Sequence, residues 1–106
     1  MPKYLIQGSY TPEGVKGVLK DGGSGRRRAA EEAIRSVGGT LEAFYFAFGE
    51  NDVFAIVDVP DAESAVAASL WVNASGAVNL KMKVLITPEQ MDAATRKTVT
   101  YHPPGG

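Results

Sequence analysis

The chain contains no cysteine. It therefore has no disulfide framework, no thiolate metal site and no cysteine nucleophile, and a cytoplasmic setting is expected. Histidine occurs once, as His102. Zinc and non-haem iron sites want two or three nitrogen ligands, which one chain cannot supply, so no metal is expected; no cofactor is expected either. Neither sign of charge dominates: 11 basic side chains face 12 acidic ones, for a formal net charge of −1. Binding nucleic acid by neutralising phosphates needs a basic surplus, which excludes that partner class. No apolar run approaches the ~20 residues of a membrane-spanning helix, so no membrane partner is expected. The opening Met1-Pro2-Lys3-Tyr4 runs straight into a strand-like segment, and no signal peptide is visible. What remains is ordinary: 106 residues, 44% apolar and 22% charged. That is one folded domain over residues 1–106, neither disordered nor a long coiled coil.

The pattern along the chain predicts four strands and three helical regions. Lys3 to Tyr10 reads as a strand, with Tyr4, Ile6, Gly8 and Tyr10 on one side and Leu5, Gln7 and Ser9 on the other. Thr11-Pro12-Glu13 opens a short helix carrying Val15, Val18 and Leu19. Asp21 to Gly25 is a glycine-rich break. A second helical run follows from Arg26 to Val37, with Ala30, Ala33, Ile34 and Val37 as its buried stripe. Arg27–Glu31, Arg28–Glu32 and Glu31–Arg35 are spaced to pair on its outer side. Thr40 to Phe48 is the next strand, placing Leu41, Ala43, Tyr45 and Ala47 opposite Glu42, Phe44, Phe46 and Phe48. Gly49 to Asp52 is a tight turn. Val53 to Val59 is almost wholly apolar and reads as a central strand covered on both faces. Asp61 caps a helix running to about Ala74, with Ala62, Ala65, Val66, Ser69, Leu70 and Asn73 on one side. Ala77 to Ile86 is the fourth strand. Thr87-Pro88-Glu89-Gln90 starts a last helix ending near Lys97, and residues 98–106 form an extended tail.

The order β-α-β-β-α-β plus a terminal helix is the split-βαβ, ferredoxin-like arrangement: an α+β fold with helices on one face of a four-stranded antiparallel sheet. The other face must meet water or a partner. Neither side of the 40–48 strand is polar enough for solvent, so homo-oligomerisation through the open face is expected.

These residues resemble the GYD-domain family. The resemblance is carried by Lys3-Tyr4-Leu5, Ser9 to Gly14, Gly22-Gly23-Ser24 with Arg26-Arg27, Phe44 to Gly49 with Asp52, Asn73 to Val78, and Leu85 to Glu89. It spans essentially the whole chain. It implies the dimeric α/β-barrel superfamily, in which two ferredoxin-like units close their sheets around a shared lumen. The family has no established activity to carry over. Asn51 stands before Asp52 where the family's glycine–tyrosine–aspartate signature has tyrosine.

Several constellations are candidates for chemistry. Ser24, Arg26 and Arg27, at a glycine-rich turn entering a helix, are donors for a phosphate or carboxylate, although the spacing is not that of a P-loop. Gln7, Ser9, Tyr10, Tyr45, Trp71 and Asn73 are the residue types that line a pocket for a small molecule and hold a substrate oxygen. Each has a plainer alternative: arginines paired to Glu31 and Glu32, Trp71 as packing, Asn73 as a helix cap. Lys81 and Lys83, with Gln7 and Ser9, give the open face a polar patch, or simply protect an edge. Asp58, flanked by valines, is either inward-facing or solvated near its strand end. His102 lies in a proline-rich tail and is expected to be solvated. Three functions fit: an oligomeric small-molecule-binding domain; a cofactor-independent oxygenase or isomerase on a small aromatic or lactone-like substrate; and an oligomerisation module without ligand.

Overall fold

The computed structural model describes residues 2–106; Met1, and with it the expectation about how the chain starts, lies outside them. The elements are β1 (Lys3–Tyr10), α1 (Pro12–Ser36), β2 (Thr40–Phe46), β3 (Val53–Asp58), α2 (Ala62–Ala74), β4 (Val78–Leu85) and α3 (Pro88–Thr95). The strands form one antiparallel sheet in the order β2-β3-β1-β4. This is the ferredoxin-like α+β fold. No helix among the described residues is long and apolar enough to cross a membrane.

The helix starts follow from their capping residues. Thr11 Oγ1 accepts from the Gly14 N–H at 3.2 Å, and Asp61 Oδ1 accepts from the Ser64 N–H at 2.8 Å. Thr87 and Gln90 form a reciprocal capping box. Thr11 also ties α1 to the turn before β4: its hydroxyl donates to the Gly76 carbonyl at 2.7 Å, and its N–H to the Ala77 carbonyl at 3.0 Å. Gly14 sits so close to this turn that a Cβ there would collide with the Ala77 carbonyl oxygen.

The core lies on the helix side of the sheet. Ile6, Ile34, Ala55, Val57, Val59 and Ala65 are its buried residues. β1 and β3 are the inner strands. Val53, Ala55 and Val57 are buried, but Phe54, Ile56 and Asp58 on the opposite face are only half-buried. Within one chain, then, β3 is covered on one face and not on both.

Five other expectations are corrected. The break at 21–25 shrinks to one residue, because only Gly22 is non-helical (φ 74°, ψ 168°) and Gly23 to Gly25 continue α1. A left-handed φ at one glycine is enough to kink the helix. β2 carries a bulge between Leu41 and Ala43. The extra residue, Glu42, resets the alternation. Leu41 joins Phe44 and Phe46 on the helix side, where the two phenylalanine rings meet edge to face at 5.2 Å. β2 also stops at Phe46, since the Ala47 N–H turns to the Asp52 carbonyl at 2.9 Å, leaving Phe48 fully exposed. On α2 the inward stripe runs through Ala65, Ala68, Ser69 and Val72, while Val66 and Leu70 are exposed. Finally, the arginine–glutamate pairs on α1 do not close among the described residues; the ion pairs that form within α1 are Arg26 with Asp21 and Lys16 with Glu13.

α3 buries no residue, and residues 96–106 are exposed throughout. They extend the molecule to 55 × 33 × 23 Å, with a radius of gyration of 16.8 Å, against about 13 Å for a compact chain of this length.

Candidate functional site

α1 packs along β2 and β1, whereas α2 packs along β4. Between them a cavity of about 140 Å³ opens above the helix face of the sheet. Its origin is local. α1 presents Ala29, Ala30 and Ala33 and α2 presents Ala68 and Ser69, and such short side chains cannot fill the space two diverging helices leave. The floor is branched and aromatic, including Ile6, Phe44, Val57 and Met82.

Only Tyr10, Arg26 and Ser69 bring polar side chains to this wall. Tyr10 ends β1. Its N–H donates to Asp52 Oδ2 at 2.9 Å, and the Asp52 N–H donates to the Gly8 carbonyl at 2.8 Å, so Asp52 fixes the strand end. Burial pushes the Tyr10 phenol above the usual tyrosine range, and the neighbouring Arg26 guanidinium opposes this. Arg26 Nη1 donates to Asp21 Oδ2 at 3.3 Å across the Gly22 kink. Ser69 Oγ accepts from Asn73 Nδ2 at 3.2 Å.

The residues singled out from the sequence do not form one site. Tyr10 alone of the six pocket candidates lines the cavity. Gln7, Ser9 and Tyr45 lie on the open face, where Gln7 is flanked by Phe54 and Lys81. Ser9 Oγ donates to the Glu50 carbonyl at 2.8 Å and lies 3.5 Å from Asn51 Oδ1. Trp71 is 81% exposed on the outer side of α2. Asn73 is engaged with the backbone: its Oδ1 accepts from the Leu80 N–H at 2.8 Å and its Nδ2 donates to the Ser69 carbonyl at 2.9 Å and the Leu80 carbonyl at 3.3 Å. The anion candidates divide. Arg26 reaches the cavity, whereas Ser24 and Arg27 border a shallow groove with Phe44, Tyr45 and Phe46.

Lys81 and Lys83 do share the open face with Gln7 and Leu5, as the β1–β4 register dictates. Asp58 is on that face too, 3.1 Å from Lys3 Nζ, which also pairs with Glu42 at 3.0 Å. His102 is exposed in the tail, and no cluster of three potential metal ligands forms among the described residues. Ser69 and Asp21 were not singled out from the sequence. The cavity role of Arg26 had a signal, since Arg26, Ala30, Ala33 and Val37 follow one helical stripe at spacings of four, three and four.

The sheet order, the hairpin held by Asp52 and the capped helices all fall within one continuous match: the profile of the GYD domain covers residues 4–95. The chain belongs to the GYD domain family. The matched span takes in the cavity, the open face and α3, and leaves out the tail beyond Thr95. No curated protein matches this GYD domain closely enough to count as a relative.

Proposed function

We propose that this GYD domain is an oligomeric binding protein that takes a small, largely apolar molecule into the cavity between sheet and helices. The observation that carries the reading is the cavity itself: about 140 Å³, walled by alanine, valine, isoleucine and phenylalanine, with Tyr10, Arg26 and Ser69 as its few polar residues. An apolar void of roughly 150 Å³ stays dry and accepts one benzene ring. The space therefore suits one ring or a short branched chain. A cytoplasmic setting is part of the proposal, and a chain without cysteine gives up nothing there.

The partner in assembly is a second copy of the chain. The centre of the open face is apolar, with Leu5, Phe54 and Ile56 half-buried and Tyr45 71% exposed. Its margins differ in charge. Lys81 and Lys83 stand on β4, while near β2 the carboxylates of Glu42 and Asp58 share the single ammonium of Lys3. A two-fold axis parallel to the strands lays β4 of one copy over β2 of the other, and so sets the basic margin against the acidic one.

The oxygenase or isomerase reading draws its support from Tyr10 and Arg26, which can hold a substrate oxyanion in an apolar space; Tyr45 and Trp71 lie outside that space. The test is native mass spectrometry of protein freshly purified from cells. A defined oligomer carrying extra mass supports binding. A bare oligomer that takes up no small aromatic favours an oligomerisation module, and a bare monomer overturns the assembly.

A further inference from the structure

The chemistry of the cavity's few polar groups restricts what the cavity can hold. Arg26 is the one cation on an apolar wall, and its side chain keeps only 33% of its exposure. A guanidinium has five N–H donors. Among the described residues one of them, on Nη1, is given to Asp21, at 3.3 Å and with Asp21 itself 40% exposed. Such a single-nitrogen, solvent-facing pair is weak. Arg27 and Arg28, the next two residues, are exposed, so the kink at Gly22 brings one arginine of three to the cavity.

Two neutral hydroxyls also line the cavity, that of Tyr10 next to Arg26 and that of Ser69 on α2. The Tyr10 phenol is protonated at neutral pH, as an ordinary tyrosine is, and burial pushes it further in that direction. Ser69 Oγ already accepts from Asn73, which leaves its own proton free to donate. No carboxylate lines the cavity. A cationic ligand meets only like charge there, and a wholly apolar one leaves the guanidinium desolvated without return. A phosphate would have to strip several strongly hydrated oxygens against alanine and valine. A carboxylate presents two oxygens in one plane, which matches a single guanidinium edge.

We propose that the cavity takes a small monocarboxylate, an aromatic ring or short branched chain bearing one carboxylate, with Arg26 receiving the carboxylate beside the hydroxyl of Tyr10. This rests on the reading of the cavity as a binding site and specifies its ligand class. Asp21 is then the competitor that the ligand displaces, and Arg26 is exchanged from one carboxylate to another.

The experiment compares two probes of nearly equal shape, benzoate and benzyl alcohol, titrated into the full chain while the methyl NMR signals of cavity residues such as Ile6, Val57 and Met82 are followed. The expected result is that both shift these signals and that benzoate binds about tenfold tighter, a modest ratio because Arg26 is partly solvated and shared with Asp21. Arg26→Gln should remove the preference while keeping benzyl alcohol binding, which also shows that the variant is folded. Asp21→Asn should widen the preference by tightening benzoate alone. Equal affinity for the two probes in the natural chain, or a preference that survives Arg26→Gln, overturns the carboxylate assignment and leaves the cavity reading standing. Should Arg26→Gln fail to fold, an unchanged preference in Asp21→Asn overturns it. Neither probe moving the cavity signals defeats the cavity reading and this inference together.

Discussion

The two faces of the sheet are made by the same strands and have met different fates. On the helix face, Val57 is wholly buried; its neighbour Ile56, one residue away and pointing oppositely, is only half-buried. The helix face is apolar from edge to edge and still leaves a void, because the helices above it carry alanines. The open face is apolar only along its middle, with lysines at one margin and a lysine-bridged pair of carboxylates at the other. Apolar content alone does not distinguish a core from an interface. The arrangement of charge around it does, since a core excludes charge and an interface can order it at the rim.

The strongest way to break this comparison is to put a charge in the middle of the open face. Phe54→Lys should weaken self-association by a hundredfold or more, about 3 kcal/mol, because an unpaired ammonium would be buried between two sheets. Sedimentation velocity across a dilution series checks this, with circular dichroism confirming the unchanged fold. A variant that assembles normally would mean that the open face is not the interface.

The next effect separates neighbouring residues. Val57→Ala should destabilise the chain by about 2–3 kcal/mol, since it adds a void beside one already present. Ile56→Ala should cost less in dilute protein and more in concentrated protein, because an interface residue contributes only when the partner is bound. Urea midpoints at two protein concentrations give both numbers.

Smaller again, Asn73→Ala should cost about 1 kcal/mol by releasing the backbone of Leu80. Loss of ligand binding out of proportion to that stability change would place Asn73 at the cavity rather than at the edge.

The smallest effect is in the Lys3 cluster. Hydrogen bonds to Glu42, then to Asp58, hold the Lys3 ammonium above the usual lysine range. A raised lysine value gives stability that is complete below the unfolded value of about 10.4 and is lost as pH rises through the folded value. Denaturant midpoints should therefore fall slightly above that pH in the natural chain, and this fall should be absent in Lys3→Met.

Most of the fold was legible in local chemistry. Thr11, Asp61 and Thr87 announced three helix starts, and the period-two pattern placed β1 without error. The misreadings share one cause: they occur where the pattern is symmetric or where one residue resets it. α2 is apolar nearly all round, so periodicity cannot say which side meets the sheet; packing against β4 decides. In β2 a single bulge at Glu42 moves Leu41 across the sheet. In α1 the glycines read as a break, although only Gly22 needs a conformation closed to other residues. The cavity was invisible for a different reason. It is made by what alanines fail to fill, and a void has no letter in a sequence. Of the nine candidate site residues, Tyr10 and Arg26 reach it, and Arg26 does so because the helix kinks at Gly22 and resumes directly after it.

The engagement of Asn73 with Leu80 bears on how the chain survives at high concentration. A side-chain amide offers the same donor and acceptor as a peptide unit, and here it stands against the outer edge of β4 where another strand would begin to template. In an extended strand alternate residues face outward together, so with Leu80 taken the free positions are Val78 on one side and Met82 and Val84 on the other. An incoming strand finds no uninterrupted ladder, and Lys81 precedes and Lys83 interrupts the longer remnant. Without that amide the edge of β4 would present a longer run of unpaired backbone groups, with the lysines as its remaining guard.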